Sequence, residues 1–431
     1  MQLVEKYFIS SNNEFYPLLD NLSFKAKNLY NYVNYHIRQS YTAAKKLRTG
    51  EILSSGEKYQ LKLVNDKILK HGKIFNYIDG DHLFLNYYIC DSIFKEYDYR
   101  ELPSACAQQC LRLLEKNWKS YFAAIAAYCA NPSKFKAKPR IPGYKDTKKG
   151  RSLVILPSGS FKFKNGILSF PKAFNGFTLK VRDKIEKINQ VRFISTPVGV
   201  NIEVVHTVKN VFRQPDNGEY MGIDIGVDNL ATVVFNDGTS PVIIDGKGLK
   251  SMNQYYNKYL ASFKSALPVG MYSSARICRF IAKRQNKVND YLHKASKIIV
   301  NLAVKHDVSV IVVGLNPEWK QKSSMGVKNN QTFQSIPFKK FINMVIYKAA
   351  LLGITAIVTE ESYTSGTSFL DNEEPIFGNY NKARRIHRGL FRSNDGTLIN
   401  ADVNAAYQIL RKAEYSVVKF SYEKVNRIHV N

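Results

Sequence analysis

Residues 219–238, EYMGIDIGVDNLATVVFNDG, decide how the second half of this 431-residue chain folds. Met221 to Ile225 and Ala231 to Phe235 are two short runs rich in aliphatic and β-branched residues, with a glycine turn between them, and they read as strands in direct succession. PVIID at 241–245 supplies a third strand. Further on, SVIVVG (309–314) and ITAIVTEE (354–361) are apolar runs suited to strands covered on both faces. Two basic helical stretches, 249–265 and 271–306, precede the first of these runs, a helix from Pro337 to Gly353 separates the two, and a helix from Ile399 to Ala413 follows.

Three antiparallel strands followed by alternating helices and strands describe a mixed sheet with helices on both faces, the RNase H-like arrangement. Three places on that frame carry acids. Asp224 lies between Ile223 and Ile225 inside a strand, where an ionised carboxylate is costly unless a partner or a metal answers it, although a simple turn cap reads equally well at that point. Asp402 stands in the first turn of the last helix, where backbone dipoles favour its charge. Glu360 and Glu361 end the last strand, at the carboxyl edge where open α/β sheets place their sites. Acids from three separate elements that meet on one sheet edge and hold two divalent ions are what phosphodiester hydrolysis needs. Magnesium, with manganese as a substitute, suits such an all-oxygen site. No Ser/His/Asp or Cys/His set competes with it.

Composition narrows the partner. Lys and Arg number 63 against 35 Asp and Glu, a net charge of +28, and the leading explanation is a polyanion; an anionic membrane surface or a lysine-inflating codon bias would also produce the excess. The start MQLVEKYFIS lacks the pattern of a signal peptide, and no apolar run is long enough to span a bilayer, so a cytoplasmic protein without a membrane partner is expected. Cys90, Cys106, Cys110, Cys129 and Cys278 form no CxxC pair, which predicts small buried thiols and no zinc.

The first half reads differently. After a short strand (Leu3 to Ile9), residues 17–130 read as helices, the clearest opened by Pro103 and Ser104 with Cys110, Leu111, Leu114, Trp118, Phe122 and Ile125 on one stripe. Residues 131–151, NPSKFKAKPRIPGYKDTKKGR, hold eight basic residues and a single acid, Asp146, and mark a boundary or a phosphate-binding loop. Asn165 and Gly166 then centre a hairpin, and VRFIS and NIEVVHTV flank a turn at Pro197 to Gly199, so a small β-barrel is expected over 150–208.

MGIDIGVDNLATVV resembles the first RuvC motif, and LINADVNAAYQILRK the third, of the TnpB nucleases encoded by insertion sequences, which are relatives of compact type V CRISPR effectors. LPSACAQQCLRLLEKNWKSYF, NPSKFKAKPRIPGYK and SYTSGTSF resemble the same family in the same order, so the likeness covers most of the chain. It implies a multidomain α/β protein with a C-terminal RNase H-like (RuvC) domain, an N-terminal helical lobe and a small β-barrel. Residues 1–10 and 150–210 would form the barrel (wedge), 11–149 the helical recognition domain with its basic linker, 216–361 and 398–431 the nuclease, and 362–397 an insert. The partners it implies are a guide RNA (omega RNA) and a double-stranded DNA target carrying a short adjacent motif.

Two departures from the family pattern matter. The strand SVIVVG ends on Gly314, where the second RuvC motif usually has Glu, so Glu361 is expected to take over that role beside Asp224 and Asp402, with Glu360 as the other candidate. The family's four-cysteine zinc ribbon follows the YTS motif, yet residues 362–402 contain no Cys. That insert carries Arg384, Arg385, Arg388 and Arg392, read as a strand-guiding flap; with Lys134, Lys136, Lys138, Arg140 and Arg151 they form the expected nucleic-acid contacts. An RNA-guided endonuclease is the first reading, a guided repressor that has lost cleavage the second, and an unguided resolvase or transposase the third.

Overall fold

A computed structural model of the chain describes residues 1–72, 75–182, 185–209, 212–316, 327–387 and 389–430. They form two compact units, Met1–Lys209 and Asn210–Asn431, each with its own core.

In the first unit, β1 (Gln2–Ser10) leads into α1 (Tyr16–Arg48), α2 (Ser55–His71), α3 (Tyr87–Ile93), α4 (Tyr97–Arg100) and α5 (Ser104–Ala130). Leu19, Leu22, Ala26, Leu29, Val33 and Ile37 recur at helical spacing on α1 and are buried, as are Cys110, Leu111, Leu114 and Trp118 on α5. Ser54 and Glu57 close a reciprocal capping box on α2. The strands that follow are β2 (Val154–Pro157), β3 (Lys162–Lys164), β4 (Ile167–Ser169), β5 (Thr178–Lys180), β6 (Lys187–Thr196) and β7 (Gly199–Thr207). Asn165 and Gly166, at φ 51° and 74°, make the left-handed turn between β3 and β4.

The expected barrel is replaced by two sheets. One has the order β1-β7-β6-β2, and the other the order β3-β4-β5, with no ladder between them among the described residues. The second sheet has strands of three residues, too short to supply the ladder bonds that closure requires. Side chains join them instead: the Phe170 ring lies 5.3 to 5.5 Å from those of Phe174, Phe177 and Phe193, and Phe174 lies 5.1 Å from Phe193. Helices and both sheets share one continuous core.

The second unit is built on one sheet. It comprises β8 (Tyr220–Asp224), β9 (Asn229–Phe235), β10 (Val242–Asp245), α6 (Lys247–Ser265), α7 (Ala275–Lys305), β11 (Val310–Gly314), α8 (Val327–Ser335), α9 (Phe338–Ala350) and β12 (Thr355–Thr359). A small hairpin sheet of β13 (Arg385–His387), β14 (Leu390–Arg392) and β15 (Leu398–Asn400) precedes α10 (Ala401–Lys412) and β16 (Asn426–Ile428). The main sheet runs β12-β11-β8-β9-β10-β16; β8, β9 and β10 pair antiparallel, while β11 joins β8 and β12 in parallel. Alternation sorts its faces: Ile311 and Val313 pack with residues of α7 and α9, whereas Val310 and Val312 pack with Val403, Ala406 and Leu410 of α10. A Cβ on Gly222 would stand 2.6 Å from the Ala406 carbonyl, so this glycine lets α10 lie directly on β8. That close approach brings Asp402 toward the end of β8.

Candidate active site at the carboxyl edge of the central sheet

Asp224 is the last residue of β8, and parallel β11 beside it ends on Gly314, which pairs with Thr359 of β12. The chain leaves β12 through Glu360 and Glu361 and turns at once. Thr364 caps that turn, its Oγ1 donating to the Glu361 carbonyl at 2.8 Å, and Tyr363 adopts a left-handed φ of 71°. The two glutamates therefore face different surroundings. Glu360 accepts from Lys412 Nζ at 2.6 Å and from the Ser362 amide at 2.8 Å. Burial works to raise its carboxyl, but the Lys412 ammonium and the Ser362 donors hold it below its ordinary value.

Glu361 turns inward. Its Oε2 is buried with no hydrogen-bond partner among the described residues, and a Cβ on Gly314 would lie 2.9 Å from that oxygen. Burial and the neighbouring Glu360 charge push its pKa up to about 7, against the pull of the Asn316 backbone and Lys412. The carboxylate thus occupies the space beside the end of β11 that a side chain at 314 would need.

On the other side stands Asp402. Asn400 caps α10, its Oδ1 accepting from the Asp402 and Val403 amides at 3.0 and 3.2 Å, which fixes the acid in the first turn. Asp402 Oδ2 accepts from Asn229 Nδ2 at 2.7 Å, and Arg385 Nη2 lies 3.8 Å from Oδ1. Asp224 feels all of these groups: burial and the charges of Asp402 and Glu361 raise its pKa well above the carboxylate range, and only Arg385 and the Ile225 backbone work the other way. Asp402 and Glu361 thus both lie within electrostatic reach of Asp224, while Glu360 is drawn off to Lys412.

The chemistry of this set fits hard divalent cations: three carboxylates, one with a buried oxygen that no group among the described residues satisfies. Among the described residues no three His, Cys, Asp or Glu side chains already converge into an ion cage. Arg385 is the cation beside Asp402 and also acts on Asp224, while Lys412 acts on Glu361.

The basic residues divide. Lys134, Lys136, Lys138 and Arg140 are exposed. Arg151 instead forms a two-pronged pair with Asp20 at 2.8 and 2.6 Å, and Arg384 pairs with Glu373 at 2.7 and 2.8 Å. Arg392 is exposed, and Arg388 lies outside the described residues. Cys90, Cys106 and Cys110 are buried, and burial pushes Cys106 and Cys110 up to about 12. No described helix is long and apolar enough to cross a membrane. Sequence reasoning missed Asn229, Lys412 and the inward use of Arg385. Only Asn229 carried a signal, lying five residues beyond Asp224 in the opening motif.

Residues 200–319 match the OrfB_IS605 family, described as a probable transposase, and residues 338–409 match a Cas12f1-like TNB domain. The first match contains Asp224 and Gly314, the second Glu361 and Asp402. The CRISPR-associated endodeoxyribonuclease Cas12f2 of a Micrarchaeota archaeon is 27% identical over 46% of this chain, a match that spans only 38% of that relative. A TnpB-like protein of Methanocaldococcus jannaschii is 24% identical over 61% of this chain and 99% of its own length. A solved structure of a Cas12f1-sgRNA-target DNA complex aligns with 95% of this chain and 98% of that one, at 15% identity and a TM-score of 0.36. In two separate segments, then, the chain is similar to the OrfB_IS605 family and to a Cas12f1-like TNB domain, and it is similar along part of its length to TnpB-like proteins.

Proposed function

We propose that this protein is an RNA-guided DNA endonuclease that cuts next to a short flanking motif, with Asp224, Glu361 and Asp402 as the ligands of two magnesium ions. The relatives named as an endodeoxyribonuclease and as TnpB-like support the class. The observation that carries the residue assignment is the seat of Glu361, whose oxygen, unsatisfied among the described residues, lies against Gly314 at the end of β11, the strand between β12 and the β8 of Asp224. Divalent ions, when bound, supply activation of the attacking water and neutralisation of the leaving oxyanion. The chain's own groups do the rest. Asp224, Glu361 and Asp402 would hold the ions as carboxylates, and Arg385, 3.8 Å from Asp402, would have to make room for them. In this reading Met1–Lys209 grips guide RNA and DNA through its exposed lysines, the sheet of Asn210–Asn431 is the RuvC nuclease, and 362–397 guides the strand without zinc.

Glu361→Gln keeps the shape and removes the charge that holds the ion. Cleavage by the guide-loaded complex should fall by orders of magnitude while target binding survives, and Asp224→Asn and Asp402→Asn should behave alike. If Glu360→Gln is the variant that stops cutting, the assignment moves by one residue. The second reading, a guided repressor that does not cut, is favoured by one observation: Arg385 already supplies Asp402 with a cation. Tight, specific binding without any cleavage in magnesium or manganese would establish it.

A further inference from the structure

Asp402 is held from behind by a chain of polar contacts that ends in β16. Asn229 Nδ2 donates to Asp402 Oδ2 at 2.7 Å, and the Oδ1 of the same amide accepts from Arg427 Nη1 at 3.1 Å. Arg427 Nη1 also donates to Asp245 Oδ1 at 3.0 Å, and Asp245 is only 6% exposed. His429 Nδ1 approaches the other Asp245 oxygen at 3.5 Å. Backbone geometry builds the arrangement: a bulge after Ile244 sets Asp245 opposite Asn229, and β16 pairs in parallel with β10 so that Arg427 lies beside Ile243.

Hydrogen-bond chemistry allows this chain one direction. A guanidinium only donates and an ionised carboxylate only accepts, so an amide between them must turn its oxygen to Arg427 and its nitrogen to Asp402. Arg427 thereby sets the Asn229 amide, and Asn229 ties down one oxygen of Asp402. The other oxygen, facing Arg385 at 3.8 Å, is left for a cation.

We propose that Arg427, acting through Asn229, is a positioning residue that orients Asp402 for metal binding. The inference rests on the nuclease-site reading above. Its alternative is purely structural: Arg427 would only pin β16 to Asp245.

The test is Mn2+ binding to the purified full-length chain, followed by the electron paramagnetic resonance of free ion. Asn229→Ala and Arg427→Met should each raise the Mn2+ dissociation constant about 10- to 100-fold, the usual cost of removing a partner that orients a ligand. Arg427→Lys, which can still donate to both oxygens, should restore most of the affinity. Because one residue acts through the other, the double variant Asn229→Ala/Arg427→Met should bind no more weakly than Asn229→Ala alone. Wild-type affinity in Arg427→Met, or losses that add in the double variant, would overturn the proposal. Should Arg427→Met fail to fold, Asn229→Ala carries the test by itself: wild-type affinity there overturns the relay. Asp402→Asn separates the two levels. If it loses the ion while Asn229→Ala and Arg427→Met keep it, the relay is wrong and the metal site stands; if it binds like wild type, the metal site is wrong and the relay falls with it.

Discussion

The two basic segments, 131–151 in the first unit and 362–397 in the second, look alike as sequence and are built in opposite ways. The first is a strap whose backbone is bolted to α1: Asn31 exchanges hydrogen bonds with both backbone groups of Lys145 at 2.8 and 2.9 Å, Asn34 donates to the Pro142 and Gly143 carbonyls, Arg38 donates to Pro142, and Lys27 reaches the Thr147 carbonyl at 2.6 Å. Upstream of these anchors, which reach Pro142 to Thr147, Lys134, Lys136, Lys138 and Arg140 remain on the surface. In the insert Arg384 turns inward to the insert's own Glu373 and Asp371, and Arg385 to Asp402 on α10, while Arg392 stays exposed. A basic run is therefore available to a polyanion only when other groups hold its backbone and no carboxylate lies within reach.

The largest expected consequence is in affinity. Changing Lys134, Lys136, Lys138 and Arg140 to Glu should weaken RNA binding steeply, because four lost phosphate contacts remove about 2.8 to 3.6 from the log-log salt slope at about 0.7 to 0.9 each. Reversing Arg384 should leave that slope nearly unchanged. Equal slopes for the wild type and the fourfold strap variant, measured by filter binding across a salt series, would erase the contrast between the segments.

Stability should show the converse pattern. Asn34 is fully buried and also accepts from Trp118 Nε1 at 3.0 Å, so Asn34→Ala leaves that donor and the Gly143 carbonyl without this partner, with Arg38 still on the Pro142 carbonyl, and should cost about 2–3 kcal/mol in denaturant unfolding. Arg384→Ala breaks a half-buried charged pair and should cost somewhat less, about 1–3 kcal/mol. Limited proteolysis would separate them, with new cuts in 131–151 for the first variant and in 362–397 for the second.

How far the sequence reveals these matters depends on the reach of the interaction. The strands around Asp224 and Gly314 were legible because buried strands need apolar runs, and α10 because Asn400 caps it before an apolar stripe. Asp224, Glu361 and Asp402 were legible as acids at the ends of such elements. The barrel was misread, since alternation reports which face is buried and not whether a sheet closes. β16 was invisible: SYEKVNRIHV has no apolar run, and its three residues become a strand only by pairing with β10. Arg151 read as a phosphate contact because its partner, Asp20, lies 131 residues away. The polar anchors of the insert, Asn404 and Gln408 on α10, read as an ordinary helix surface, yet both are fully buried and bond the insert's backbone at Thr367 and Glu373.

The smallest expected effect concerns Lys27, a cation that the strap covers. It is 3% exposed, with its ammonium 3.8 Å from the centroid of the Phe24 ring and bonded to the Thr147 carbonyl. Desolvation, reinforced by the Arg151 charge, lowers its pKa below the ordinary lysine value, and Asp146 and Asp98 restore only part. Between that lowered pKa and about 10.4 the unfolded chain carries more protons at this position than the folded one, so stability contributed here rises with pH across the window. Lys27→Met has no such proton. The stability difference between wild type and Lys27→Met should therefore shift in favour of wild type as the pH climbs toward 10.4, while it stays constant below the folded pKa. Guanidinium melts of both proteins from neutral pH upward measure it, and a difference that does not change with pH would mean that the strap leaves Lys27 hydrated and holds its backbone through the asparagines alone.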